Sequence, residues 1–186
     1  KAAEFHGHVC PGLAMGYRVA RYVKAHYPRS EDEELVCIAE NKSCSVDAVQ
    51  FLLGCTAGKG NLIVIDNGKQ AFTFYSRNQG KALRIYFKGD VFAGMDGLRQ
   101  KMAAGNLTPA EKKEMEGMRS RIMEQILASR DEDLLDVREA EIPAPDKARI
   151  YPSLVCQECG ERFMEIMGRT AEGKVLCKGC FEKKVC

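Results

Sequence analysis

Leu13, Tyr17, Ala20 and Val23 recur at helical spacing, which predicts a helix from Pro11 to about His26. Pro11 suits the first helical position, and Cys10 before it is biased toward extended backbone. Gly12, Ala14 and Gly16 are small and permit close packing on that helix. The polar stretch YPRSEDEE, residues 27 to 34, reads as a loop. ELVCIAE follows as a strand, with Cys37 expected in the core. SCSVDAVQFLLG then reads as a short helix, capped by Ser43 or Ser45, with Asp47 in its first turn and Gly54 at its stop.

LIVID, Asn67-Gly68 and KQAFTFYSR together predict a β-hairpin, since Asn-Gly favours the tight turns that join twisted strands. KALRIYFK continues as a further strand after a turn at Asn78 to Gly80. Residues 94 to 104 predict a short helix ended by Gly105-Asn106. Thr108, Pro109 and Glu111 form a capping box that opens a long helix to about Ser129. LLDVREAEI reads as a last strand. Residues 143 to 153 hold three of the six prolines and read as a linker. The expected architecture is α+β, a mainly antiparallel sheet packed with helices over residues 1 to 148, followed by a small module over 149 to 186.

Composition narrows the function classes. The net charge of +2 gives no basic footprint for nucleic acid and no excess for a membrane surface. No run of apolar residues is long enough to span a bilayer. The sequence opens on Lys1 rather than Met, so an upstream start or leader stays open. Nine cysteines, an odd number in a chain of this length, argue for reduced thiols used for metal or chemistry in a cytoplasm.

Five of the nine cysteines fall in residues 156 to 186. Cys156 and Cys159, then Cys177 and Cys180, form two C-x-x-C pairs with 17 residues between them, the spacing of a four-cysteine zinc site. So short a segment cannot bury a sufficient core, and structural Zn2+ would supply its folding energy. A helix starting at FEKK suggests a zinc ribbon or treble-clef finger. Six Lys or Arg against five Asp or Glu over residues 150 to 186 favour a protein partner over nucleic acid. Cys186 is left over as a tail thiol.

The other cluster is EFHGHVCPGL, residues 4 to 13. If residues 4 to 10 are extended, His6, His8 and Cys10 point to one face. Cys10 would then sit at a helix N-terminus, which favours the thiolate. Two imidazoles beside a thiolate suit Zn2+ or another soft divalent metal, or an activated nucleophile. Cys44 and Cys55 lie eleven residues apart, roughly 16 Å along a straight helix, so both are not expected on one ion. Cys55, in its glycine-rich loop, is the better candidate to meet Cys10, and Asp47 is placed to orient a histidine or to serve the helix dipole. Lys59 in GCTAGKGN does not complete a phosphate loop: three residues, not four, separate Gly54 from Gly58. It is either a cation near an anionic ligand or a solvated lysine.

FHGHVCPGLAMGYR, CSVDAVQFLLGCTAGKGNL and the segment downstream resemble the FmdE family, named for formylmethanofuran dehydrogenase, over roughly residues 3 to 140. The four-cysteine module resembles the treble-clef finger that some members carry. The resemblance implies an α+β core, a homodimer and a metal near the HGH-x-C motif. It makes His6, His8, Cys10, Cys44, Asp47, Cys55 and Lys59 the candidate site, with Cys10, Asp47 and Lys59 as its chemical groups. It also implies an accessory role beside a partner such as a molybdenum or tungsten enzyme, formylmethanofuran dehydrogenase, that reduces carbon dioxide to a formyl group in methanogenesis. The chain has no molybdopterin-binding domain of the size needed and no ferredoxin-type cysteine run, so it cannot perform that redox step alone. Two alternatives stand beside the accessory role: an enzyme using the Cys10 thiolate or a metal-bound water, and a redox switch closing a Cys10–Cys55 disulfide.

Overall fold

The strand Leu35–Ala39 (β1), with the sequence LVCIA, carries no charged residue and is buried along almost its whole length. Such a strand can sit at the centre of a sheet, and β1 is paired on both sides. In the computed structural model, which describes residues 1–88 and 91–185, the sheet order is β2-β1-β3-β4-β5. The other strands are Leu62–Val64 (β2), Ala71–Ser76 (β3), Lys81–Phe87 (β4) and Leu135–Ala140 (β5). The β1–β2 pair is parallel and the other three pairs are antiparallel, so the sheet is mainly antiparallel.

Asn67-Gly68 does not close a hairpin. Cys37 pairs with Leu62 on one side and with Phe74 on the other, so β1 lies between the two strands expected to pair. The backbone amides of Asn67 and Lys69 both donate to the Glu40 carbonyl, at 3.1 and 3.0 Å. The turn therefore wraps the end of β1 and carries the chain from one of its edges to the other. The local turn signal yields to the gain from covering both edges of an apolar strand. The turn at residues 78 to 80 does join β3 and β4.

The helices are Ala2–His6 (α1), Pro11–His26 (α2), Ser45–Leu53 (α3), Asp96–Ala103 (α4), Pro109–Ala128 (α5) and Asp131–Leu134 (α6). Pro11 and the capping box at Thr108 start their helices as expected. In α2, Leu13, Val19, Ala20 and Val23 are buried, but Tyr17 is 39% exposed. Arg18 takes the buried place beside it. Its guanidinium donates to the carbonyls of Ile126 and Leu127 at the end of α5 and to Asp131. Thus Arg18 joins the middle of α2 to the C-terminus of α5, where unsatisfied carbonyls favour a cation.

Contacts divide the chain into two units, Lys1–Lys147 and Ala148–Cys186. Within the second lie the hairpins Ser153–Val155 (β6) with Arg162–Met164 (β7), and Arg169–Ala171 (β8) with Lys174–Leu176 (β9), then the helix Lys178–Val185 (α7). That helix begins inside the second C-x-x-C pair rather than after it. Cys186, expected as a tail thiol, lies outside the described residues. Among the described residues no helix is long and apolar enough to cross a membrane.

Candidate metal centre

The HGHVC segment is not an extended strand. Ala2–His6 is helical, and Gly7 ends it with a left-handed φ of 92°. Only glycine takes that backbone at no steric cost. The reversal brings the His8 ring to 4.4 Å from that of His6, so the two imidazoles meet through a turn and not through strand alternation. Cys10 then caps α2, and its sulfur accepts from the Leu13 amide at 3.4 Å.

The fourth member is Cys44, at the N-terminus of α3. A close crossing of α2 and α3 puts it there. A β-carbon at Gly16 would lie 2.2 Å from the Ser45 carbonyl oxygen, so only glycine permits this approach. A β-carbon at Gly12 would lie 3.1 Å from that of Cys44, and 3.8 and 3.9 Å from the Cys44 and Cys10 sulfurs. The two helix N-termini thus converge, each presenting a cysteine. One ligand atom from each of His6, His8, Cys10 and Cys44 lies within 4.8 Å of the others.

His6 is held from behind. Its Nδ1 lies 2.7 Å from Asp47 Oδ2, and Asp47 Oδ1 accepts from Gln50 Nε2 at 3.1 Å. A carboxylate on Nδ1–H fixes the tautomer and leaves the Nε2 lone pair free. Nε2 is 3.9 Å from the Cys10 sulfur. Zinc–ligand lengths of about 2.0 and 2.3 Å at a tetrahedral angle require roughly 3.6 Å between such atoms. The donor set and spacing therefore fit a soft divalent ion. Burial, and then the neighbouring Cys10 thiol, push the Cys44 thiol upward. Two adjacent sulfurs resist joint ionisation unless a cation lies between them.

Cys55 does not join this cluster. It is fully buried, its thiol donates to the Leu35 carbonyl at 3.4 Å, and burial pushes it up to about 12. It is a core thiol, as is Cys37. The expected meeting of Cys10 and Cys55 is replaced by that of Cys10 and Cys44, because the N-terminus of α3, not its C-terminal loop, packs against the start of α2. Lys59 is also elsewhere: its ammonium donates to the carbonyls of Ser30, Glu31 and Asp32, at 3.5, 3.1 and 2.8 Å. Asn61 reinforces the same loop through the Asp32 and Leu35 carbonyls. Lys59 therefore holds a loop rather than an anion.

In the second unit, one sulfur each from Cys156, Cys159, Cys177 and Cys180 clusters within the same 4.8 Å limit. The Cys159 and Cys177 sulfurs are 4.0 Å apart, near the roughly 3.8 Å of tetrahedral zinc thiolates. Backbone amides at Cys159 and Cys177 hold the Cys156 thiol down, to about 6.

An open cavity of about 370 Å³ adjoins the first cluster, lined by His8, Cys10 and Cys44 among others. Its far wall comes from α4 and α5, including Arg99 and Arg119. Those residues and Gln50 carry no motif; only the i, i+3 spacing of Asp47 and Gln50 hints at a contact.

This pair of units defines a class, an α+β metal-site domain with an appended four-cysteine finger. The family model described as FmdE, molybdenum formylmethanofuran dehydrogenase operon, matches residues 5–136, and the chain belongs to that family. The prokaryotic dksA/traR C4-type zinc finger matches residues 149–185. A solved FmdE-like protein of the tungsten formylmethanofuran dehydrogenase type, from Syntrophus aciditrophicus, is similar with a TM-score of 0.61 and 25% identity, covering 99% of this chain and 90% of that one. A probable S-adenosyl-L-methionine-binding protein of Archaeoglobus fulgidus is 28% identical over 97% of this chain. The chain spans about half, 51%, of the length of that curated relative.

Proposed function

We propose that this FmdE-like protein is a metal-binding accessory protein, holding one transition-metal ion at His6, His8, Cys10 and Cys44 and one structural Zn2+ in the finger. The convergence of four ligand atoms on two helix N-termini carries this reading. Asp47 is the positioning residue that aims His6 Nε2 at the ion. When bound, the ion would act as a Lewis acid and keep both thiols ionised. The finger would dock a partner protein, in keeping with the enzyme named in the family's description. A homodimer fits the family resemblance.

The expected metal content is about two ions per chain, falling to about one in Cys10→Ser, Cys44→Ser protein with the finger's share intact. Elemental analysis of the full chain reads this directly. An unchanged content in the double variant would sink the first site.

The nearness of the Cys10 and Cys44 thiols favours a second reading, a redox switch. Peroxide would be reduced to water while the two thiols lose two protons and two electrons and form a disulfide. Mass mapping after peroxide should then find Cys10 linked to Cys44 and the metal released. Linkage of other thiols instead would remove this reading.

The ligand in the Archaeoglobus relative's description is not carried over. Among the described residues the cavity beside the cluster is lined by two arginines and no carboxylate, which disfavours a sulfonium cation.

A further inference from the structure

The cavity beside the metal cluster has a chemistry of its own. Three cluster residues, His8, Cys10 and Cys44, form one wall. The opposite wall carries two guanidiniums, Arg99 from α4 and Arg119 from α5. Neither is paired with a carboxylate among the described residues. Arg99 lies over the Phe92 ring, 5.0 Å from its centre. Arg119 donates to the Met102 sulfur at 3.7 Å, a weak acceptor. Cations resting on an aromatic face and a thioether retain most of their capacity for an anion. A dication held by two thiolates and two neutral imidazoles contributes no net charge, so the arginines set the sign of the cavity. Phe92, Met95 and Met102 supply apolar surface between them. At about 370 Å³ the space is at the small end of ligand cavities, which run from about 300 to 1,000 Å³.

We infer that this cavity binds a small organic acid, its carboxylate paired with Arg99 and Arg119 and its apolar body against Phe92, Met95 and Met102, beside the metal cluster. Paired guanidiniums match a carboxylate fork, and the methionines adapt to an apolar body of varied shape. The apolar wall sets an organic acid apart from a bare oxyanion. This inference deepens the metal-centre reading and takes the position of the site from it.

The test is calorimetric titration of the full, metal-loaded chain with benzoate, butyrate, benzamide and inorganic phosphate. One of the two acids should bind, and benzamide should bind at least tenfold more weakly than benzoate if benzoate is that acid. Arg99→Gln, Arg119→Gln protein should lose at least tenfold in affinity while its metal content stays unchanged. The inference is overturned if neither acid binds, if the double variant binds as well as wild type, or if benzamide matches a binding benzoate. Phosphate binding as tightly as the better acid would also overturn it, since the cavity would then be an oxyanion site. Metal content is read separately, by elemental analysis of the same samples. Loss of the first ion from the count would overturn the metal reading, and the same titrations would still decide the acid.

Discussion

Removing zinc from the second unit should unfold it and leave the first unit folded. Among the described residues of Ala148–Cys186, only Cys156 and Leu176 are buried, so the apolar contribution is small. Zinc in such fingers contributes an apparent 10–16 kcal/mol, approximately, which is effectively the folding free energy. Cys177→Ser breaks the site at a residue that also meets Cys156: the Cys177 amide donates to the Cys156 sulfur at 3.3 Å. The expected result is fast amide exchange throughout β6 to β9, with the exchange of β1 and β3 unchanged. Retained protection at Leu176 in the variant would show that the unit folds without its metal. The first unit should survive because its core is large and separate, with Val19, Val49, Phe74 and Ile85 fully buried.

Arg18→Met should cost the first unit about 3–5 kcal/mol, the range for breaking a buried charged contact. Arg18 is fully buried, and its Nη2 lies 2.6 Å from Asp131 Oδ1. Methionine fills similar volume but leaves the Ile126 and Leu127 carbonyls without their donor. The melting temperature should fall by roughly 10–15 °C, and calorimetry would measure it. A shift of only a degree or two would mean that water or Arg21, 2.8 Å from the same carboxylate oxygen, replaces the lock. Acid should weaken the same contact. Burial raises the Asp131 carboxyl, but the hydrogen bond from Arg18 and the charges of Arg21 and Arg18 outweigh it, and the net shift is downward. Its contribution is therefore full above the ordinary carboxylate range and lost as pH falls through the lowered value. Arg18→Met protein should lack that acid-sensitive share.

Much of this protein was legible locally. The two C-x-x-C pairs specify the four-cysteine finger because ligand spacing on tight turns is a property of short segments. Pro11, the Thr108 capping box and Gly54 set helix ends through contacts within a few residues. HGHVC names three of the four members of the N-terminal cluster by residue type alone. The tertiary structure decided which other residues meet them. Period two in residues 4 to 10 is replaced by a helix and a left-handed Gly7, since AAEF favours helix and Gly7 permits the reversal. Asn67-Gly68 wraps β1 instead of closing a hairpin, because strand pairing depends on which edge of the sheet is free. Cys44 joins Cys10 while Cys55 becomes core, because Gly16 lets α2 cross α3 at Ser45, a contact between residues far apart in the chain. Arg18 is buried for a related reason: the carbonyls it satisfies lie more than a hundred residues away, and no local pattern of apolar positions can announce them. The sequence by itself determined the chemistry available to this protein; the crossing of α2 and α3 determined which of those groups face one another.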